Sequence, residues 1–164
     1  MPFSGSIQGT ISAVEDVPAG STLLQGVPQA THTLPGLAAT MTSGTAVPGT
    51  KASSFETTLS SGAATIDLTS LAGVAGQTVN LTGLKVQAIA ILADSTNTAG
   101  LAIVGGATNG IDLFGSSGKV VIPPGGWFQM FFKEGAPDVA SGDRTLDLSS
   151  AHATAKAKFL IIAG

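Results

Sequence analysis

The strongest constraint on this chain is the rhythm of its residues from about Lys51 onward. Short apolar runs alternate with polar residues at every second position, and glycines, prolines and Asn/Asp/Ser clusters break each run. The alternation is cleanest near the C-terminus, where Ala155, Ala157, Phe159 and Ile161 share one face and Lys156 and Lys158 the other. Successive side chains of a strand point to opposite sides of a sheet, so this pattern suits a strand with one buried face. Apolar residues at helical spacing are missing, and no repeat of fixed period points to a solenoid or propeller.

The same reading predicts strands over Ser53–Leu59, around Ile66 and Leu68, over Leu101–Val104, Lys119–Ile122, Trp127–Phe132 and Arg144–Leu148. Leu84–Leu92 is apolar on both faces from Val86, which places it centrally in a sheet. Leu71–Gln77 holds two glycines and reads as a turn or one helical turn, and Pro123-Pro124-Gly125-Gly126 is a strong turn signal. Many short strands with this punctuation predict an all-β fold, a jelly-roll-like two-sheet β-sandwich with an extended N-terminal arm.

The arm is residues 1–50 and the sandwich residues 51–164. Ile7, Gly9, Ile11 and Ala13 alternate with polar residues, giving one strand. Glu15-Asp16 reads as a turn-like pair. From Glu15 to Thr50 the prolines at 18, 28, 35 and 48 predict an irregular segment, with one strand near Gln29–Leu34. The first 50 residues hold Glu15 and Asp16 but no Lys or Arg. They are too apolar for a typical disordered tail. An arm of this kind is expected to add a strand to a neighbour's sheet edge, with Ile7 and Ile11 filling the neighbour's pockets.

Charge narrows the function. Charged residues are 10% of the chain and the net charge is −3, against roughly 25% charged in an average domain. No basic patch favours a nucleic-acid partner. Thin charge on an aliphatic chain is expected where partner subunits cover the surface, because obligate interfaces are apolar and charge-depleted. A homo-oligomer is therefore expected, with a trimer favoured. Met1–Thr10 has neither a basic nor an apolar signal region, and no run of about 18 apolar residues suggests a membrane span. The chain has no cysteine, which excludes disulfides and thiolate metal sites.

Candidate chemistry is sparse. His152 with Asp147 and a serine would make a nucleophilic triad, but no G-x-S-x-G elbow accompanies them; His32 lies in the proline-rich arm. Asp138, Ser141 and Asp143 offer oxygens in one loop, without the spacing of a calcium motif. Gly105–Gly110 is glycine-rich but lacks the Lys and following helix of a phosphate loop, and reads as a connection needing positive φ. Asn80-Leu81-Thr82 matches the glycosylation sequon by chance. Trp127, Phe128, Phe131 and Phe132 form the most aromatic stretch. Alternation puts Phe128, Met130 and Phe132 on one face and Trp127, Gln129 and Phe131 on the other, and one of the two faces is core. The other face meets either a second layer over a central strand, a subunit interface, or a sugar. No enzyme activity, cofactor or metal is expected.

The residues from Leu59 to Gly164 resemble small structural proteins of tailed phages and prophages. The resemblance rests on Ile66-Asp67-Leu68 before a glycine-containing turn, Leu84–Ile89, Ala93–Thr98, Ile103–Ala107 and Phe114-Gly115. Val121–Gly126 and the closing Phe159–Gly164 complete it. Phe3-Ser4-Gly5 and Gly9–Ser12 extend it weakly into the arm. The resemblance implies a virion protein without enzymatic activity, made in the host cytoplasm. A capsid decoration or cement protein, bound across major capsid subunits, is the first expectation. A tail, baseplate or head-fibre component is the alternative, and a carbohydrate-binding module is the rival of another class. Phe3, Ile7, Ile11 and Trp127 are the residues expected at subunit or capsid contacts.

Overall fold

A computed structural model of the protein describes residues 4–16, 29–42, 49–73, 76–115, 117–132 and 137–164, the first two segments as backbone strands. All regular structure among these residues is β, with no helix. The chain divides into two compact units, Ser6–Thr40 and the remainder.

The smaller unit holds most of a two-stranded ribbon, β1 (Ser4–Asp16) paired with β2 (Gln29–Thr42). This corrects two expectations. Glu15-Asp16 ends a strand instead of making a turn, and the strand expected near Gln29–Leu34 continues through Pro35 to Thr42. A proline is tolerated in such a ribbon because each strand keeps a free edge, where a missing N–H breaks no ladder bond. Phe3 lies outside the described residues, as do the side chains of Ile7, Ile11 and His32.

The larger unit is built on eight longer strands: β3 (Lys51–Thr58), β4 (Ala63–Asp67), β7 (Val86–Ala93), β8 (Leu101–Gly105), β9 (Lys119–Ile122), β10 (Trp127–Phe131), β11 (Thr145–Ser149) and β12 (Lys156–Ala163). They form two four-stranded antiparallel sheets, in the orders β10-β7-β12-β3 and β4-β11-β8-β9. The pairs are nested: β3 with β12, β4 with β11, β7 with β10, and β8 with β9. β7 also pairs with β12, and β8 with β11, which completes each sheet. Val86–Ala93 is flanked on both sides, as its two-faced apolar sequence predicts.

Alternate residues of both sheets enter one hydrophobic cluster, the arrangement of a β-sandwich. Ile89, Ile91, Phe159 and Ile161 come from one sheet; Ile66, Leu101, Ile103, Ile122, Leu146 and Leu148 come from the other. Phe159 stacks on Phe55 of the neighbouring strand, ring centroids 5.2 Å apart and 7° from parallel. A register shift at Ile162/Ala163 breaks the alternation there, and both side chains are buried.

Turn chemistry explains how the chain changes direction. Ser61 (φ 52) and Gly62 (φ 80) sit between mutual backbone bonds of Ser60 and Ala63, the two-positive-φ turn that suits twisted hairpins. At Pro123–Gly126, Gly126 N–H donates to Pro123 O at 2.9 Å and Gly125 has φ 72. That is a type II turn with proline at its second position and glycine at its third. It carries the chain from β9 in one sheet to β10 in the other. Of the two readings of Leu71–Gln77, the turn holds: β5 (Leu71–Ala72) and β6 (Thr78–Val79) form a two-residue antiparallel hairpin, across which Gly73 N–H donates to Gln77 O at 2.7 Å.

Candidate interaction face

The outer face of the β10-β7-β12-β3 sheet can be read row by row from its register. One row runs Trp127, Leu92, Lys158, Glu56. The next runs Gln129, Ala90, Leu160, Ser54, and a third Phe131, Ala88, Ile162, Ala52. In the first two rows Trp127 is 64% exposed, Leu92 44% and Leu160 42%. In the third, Ala88 and Ile162 are buried. Scattered exposed apolar residues are ordinary, but three large ones on adjacent strands of one sheet form a patch. A shallow groove runs between them, lined by Trp127, Leu92, Leu160, Ala90 and Ser54, with Lys158 at its side.

Position on the sheet explains the exposure. β10 is an edge strand, so the outer face of Trp127, Gln129 and Phe131 is not the second layer of a central strand. The structure decides which face is core: Phe128, Met130 and Phe132 pack against it, and Phe128 meets Phe114 edge-on at 5.9 Å. Charge on the patch is confined to Lys158 and Glu56, 3.9 Å apart and both exposed. A smaller crevice at the patch's end adds Asp94, Ser95, Gly125 and Lys156.

The outer face of the other sheet is more polar. Thr65, Asp147, Val104 and Lys119 align across its strands. There the Asp147 carboxylate accepts the Thr65 hydroxyl at 2.6 Å and the Ala107 backbone N–H at 2.8 Å. His152 has its ring elsewhere: Nδ1 accepts the Thr98 N–H at 3.4 Å and Nε2 lies 3.4 Å from the Thr154 hydroxyl. These hydrogen bonds of Asp147 and His152 build structure, a loop clip and a turn, and none of them runs between the two side chains.

The remaining candidates resolve similarly. Asp138 forms an ion pair with Lys85 at 2.9 Å, and Ala140 and Asp143 close a small backbone bridge. Among the described residues no three His, Asp or Glu side chains gather as metal ligands. Asn80 accepts the Thr82 N–H through its own side chain, a local turn. The glycine-rich connection contains the expected positive φ, but at Asn109 (φ 55), whereas Gly106 and Gly110 are required by close approach. A Cβ on Gly106 would lie 2.1 Å from Thr145 Oγ1, and one on Gly110 would lie 2.1 Å from Gly106 O.

Asn97 is a structural residue that pattern reading passed over. It is 5% exposed, donates to Lys156 O at 2.9 Å and accepts the Lys156 N–H at 2.8 Å. Its amide extends the sheet ladder by one rung. The only sequence signal was its place in Asp94-Ser95-Thr96-Asn97, where Asp94 caps the turn through the Thr96 N–H and hydroxyl. Against models of known families, curated proteins and solved structures alike, the chain finds no match.

Proposed function

We propose that this chain is a non-enzymatic structural protein of a tailed-phage virion, a decoration or cement protein that binds across neighbouring major capsid subunits. The observation that carries the proposal is the outer face of the β10-β7-β12-β3 sheet. Trp127, Leu92 and Leu160 form a solvent-facing apolar patch on a chain with only 10% charged residues. A surface of that composition gains most from burial against protein, and many weak copies on a lattice bind tightly together.

The strand order supports a jelly roll within this proposal. Counting the eight longer strands from one to eight, the pairs are one with eight, two with seven, three with six and four with five. A long antiparallel ribbon rolled on itself has this nesting, and capsid and lectin domains use that architecture. In this proposal residues 1–50 serve as the extended arm, with Phe3, Ile7 and Ile11 as contact residues. Trp127 is the contact residue of the sandwich.

The test is immunogold labelling of intact particles with antibodies raised against this chain. Gold over the head surface is the expected result. Gold confined to the tail would assign the chain to the tail or baseplate instead. Purified particles that lack the chain by mass spectrometry would reject a virion role.

A further inference from the structure

We propose that β1 pairs edge to edge with β1 of a second copy of this chain, in a two-fold dimer. The inference rests on reading residues 1–50 as an assembly arm, and it names the arm's partner. Two strands alone make a marginally stable sheet in water, and three or more are needed for independent stability. The β1–β2 ribbon is such a two-stranded sheet, and Ser6–Thr40 forms a compact unit of its own. Among the described residues, each of its strands pairs on one side and leaves an edge on the other. That edge is a row of backbone N–H and C=O groups that another strand can take up.

The two edges differ. β2 carries Pro35 at its middle. A proline in such a ribbon sits on the outer edge, where it removes an outward N–H and interrupts any ladder laid along that edge. β1, with the sequence SGSIQGTISAVED, has no proline, Lys or Arg, and its two charges, Glu15 and Asp16, stand at its end. Edge strands are ordinarily blunted by lysine, by proline or by being short; β1 is 13 residues long and has neither residue. A ring of three ribbons would need β1 of one copy on β2 of the next, which Pro35 interrupts. The pairing left is β1 on β1, which closes as a dimer and not as the trimer favoured on composition.

Charge and register fix how the two strands run. Parallel pairing in register would set Glu15 and Asp16 of one copy beside the same acids of the other, and like charges directly opposite are destabilising. Antiparallel pairing about Thr10 sets Asp16 beside Ser4 and Glu15 beside Gly5, so the acids of the two copies lie at opposite ends of the ladder. It also uses all 13 residues: Ile7 is beside Ala13, Ile11 beside Gly9, Gln8 beside Ser12, and Thr10 beside itself. Odd positions meet odd positions, so the alternation of Ile7, Gly9, Ile11 and Ala13 with polar residues continues across the two-fold axis. A slip of one residue would set apolar positions against polar ones. The product is a four-stranded sheet in the order β2-β1-β1-β2, held by one self-complementary contact.

The chain has no cysteine, so an introduced one reports on the pairing directly. Thr10→Cys puts a thiol on the two-fold axis, next to its own copy. Ser4→Cys puts one at the end of the ladder, ~40 Å from its copy across a 13-residue strand. The double variant Ser4→Cys/Asp16→Cys brings two thiols together at each end. The experiment follows the full chain by sedimentation equilibrium up to about 1 mM, and the variants by non-reducing gel after mild oxidation. A dimer is the expected result, with disulfide-linked dimers from Thr10→Cys and from the double variant and none from Ser4→Cys alone. Far-UV circular dichroism shows that each variant is folded. A chain that stays monomeric, or that forms a trimer, overturns the proposal. So does a dimer in which neither Thr10→Cys nor the double variant cross-links, or one in which Ser4→Cys alone does, which marks parallel strands. A monomer found on labelled heads removes the pairing and leaves the virion role intact; a cross-linked dimer absent from particles supports the pairing and removes the virion role.

Discussion

Phe159 and Lys158 are neighbours in β12, and their faces should separate them by an order of magnitude in stability. Phe159 is 2% exposed, stacks on Phe55 at 5.2 Å and lies opposite Ile91 in the ladder. Phe159→Ala removes a ring that the two packed sheets cannot close around, which costs about 3–5 kcal/mol. Of this, about 0.5–1.5 kcal/mol is the stacked pair. Lys158 holds only an exposed ion pair with Glu56 at 3.9 Å, so Lys158→Ala should cost less than about 0.5 kcal/mol. With a urea slope of about 2 kcal/mol per molar, the midpoint should fall by about 1.5–2.5 M for Phe159→Ala and by less than about 0.25 M for Lys158→Ala. Urea titration followed by far-UV circular dichroism measures both. Equal shifts would mean that the strand's inward face is misassigned and that the core does not lie where Phe159 points.

Three further outcomes follow from single contacts. Asn97→Ala strips two backbone bonds from Lys156 at a buried site and should lower stability by about 1–3 kcal/mol, read by the same titration; an unchanged midpoint would refute the rung. Gly106→Ala drives a Cβ against Thr145 Oγ1 and should cost about 1–3 kcal/mol, while Gly142→Ala, with open space around it, should stay within about 0.5 kcal/mol; comparable melting temperatures for the two would refute the close approach. The hydroxyl and N–H of Thr69 hold the Asp67 carboxyl below its ordinary value, with help from Arg144, and the Thr96 hydroxyl and N–H do the same for Asp94. A carboxyl depressed by folding stabilises the native state above its unfolded pKa near ~3.9 and loses that contribution as pH falls through the folded value. Stability should therefore drop below about pH 4, less steeply in Asp67→Asn and Asp94→Asn; identical acid limbs would refute the assignment.

Much of the sandwich was legible in the sequence because period-2 alternation is a local consequence of strand geometry. Ala157, Phe159 and Ile161 against Lys156 and Lys158 determined a half-buried strand, and LKVQAIAIL determined one that is flanked on both sides. Pro124 and Gly125 determined their turn, since one residue fixes φ and the other accepts a positive value. The proline-rich segment misled, because proline argues against central strands and β2 is not central. The glycines of Leu71–Gln77 marked a turn, but its flanking strands went unread because strands of two residues are too short to show any period.

Tertiary structure alone decided which strands are neighbours, because pairing joins residues far apart in the chain and leaves no local mark. The nesting of β3 with β12 and β4 with β11 is of this kind. So is the role of Asn97, whose partner Lys156 lies 59 positions away. The aromatic stretch shows the division most clearly. Alternation by itself separated Phe128 and Met130 from Trp127, but whether Trp127 met a second layer or solvent depended on its strand's place at the sheet edge. A strand's sequence sets which side chains share a face; the strands beside it and the layers above it determine what that face meets.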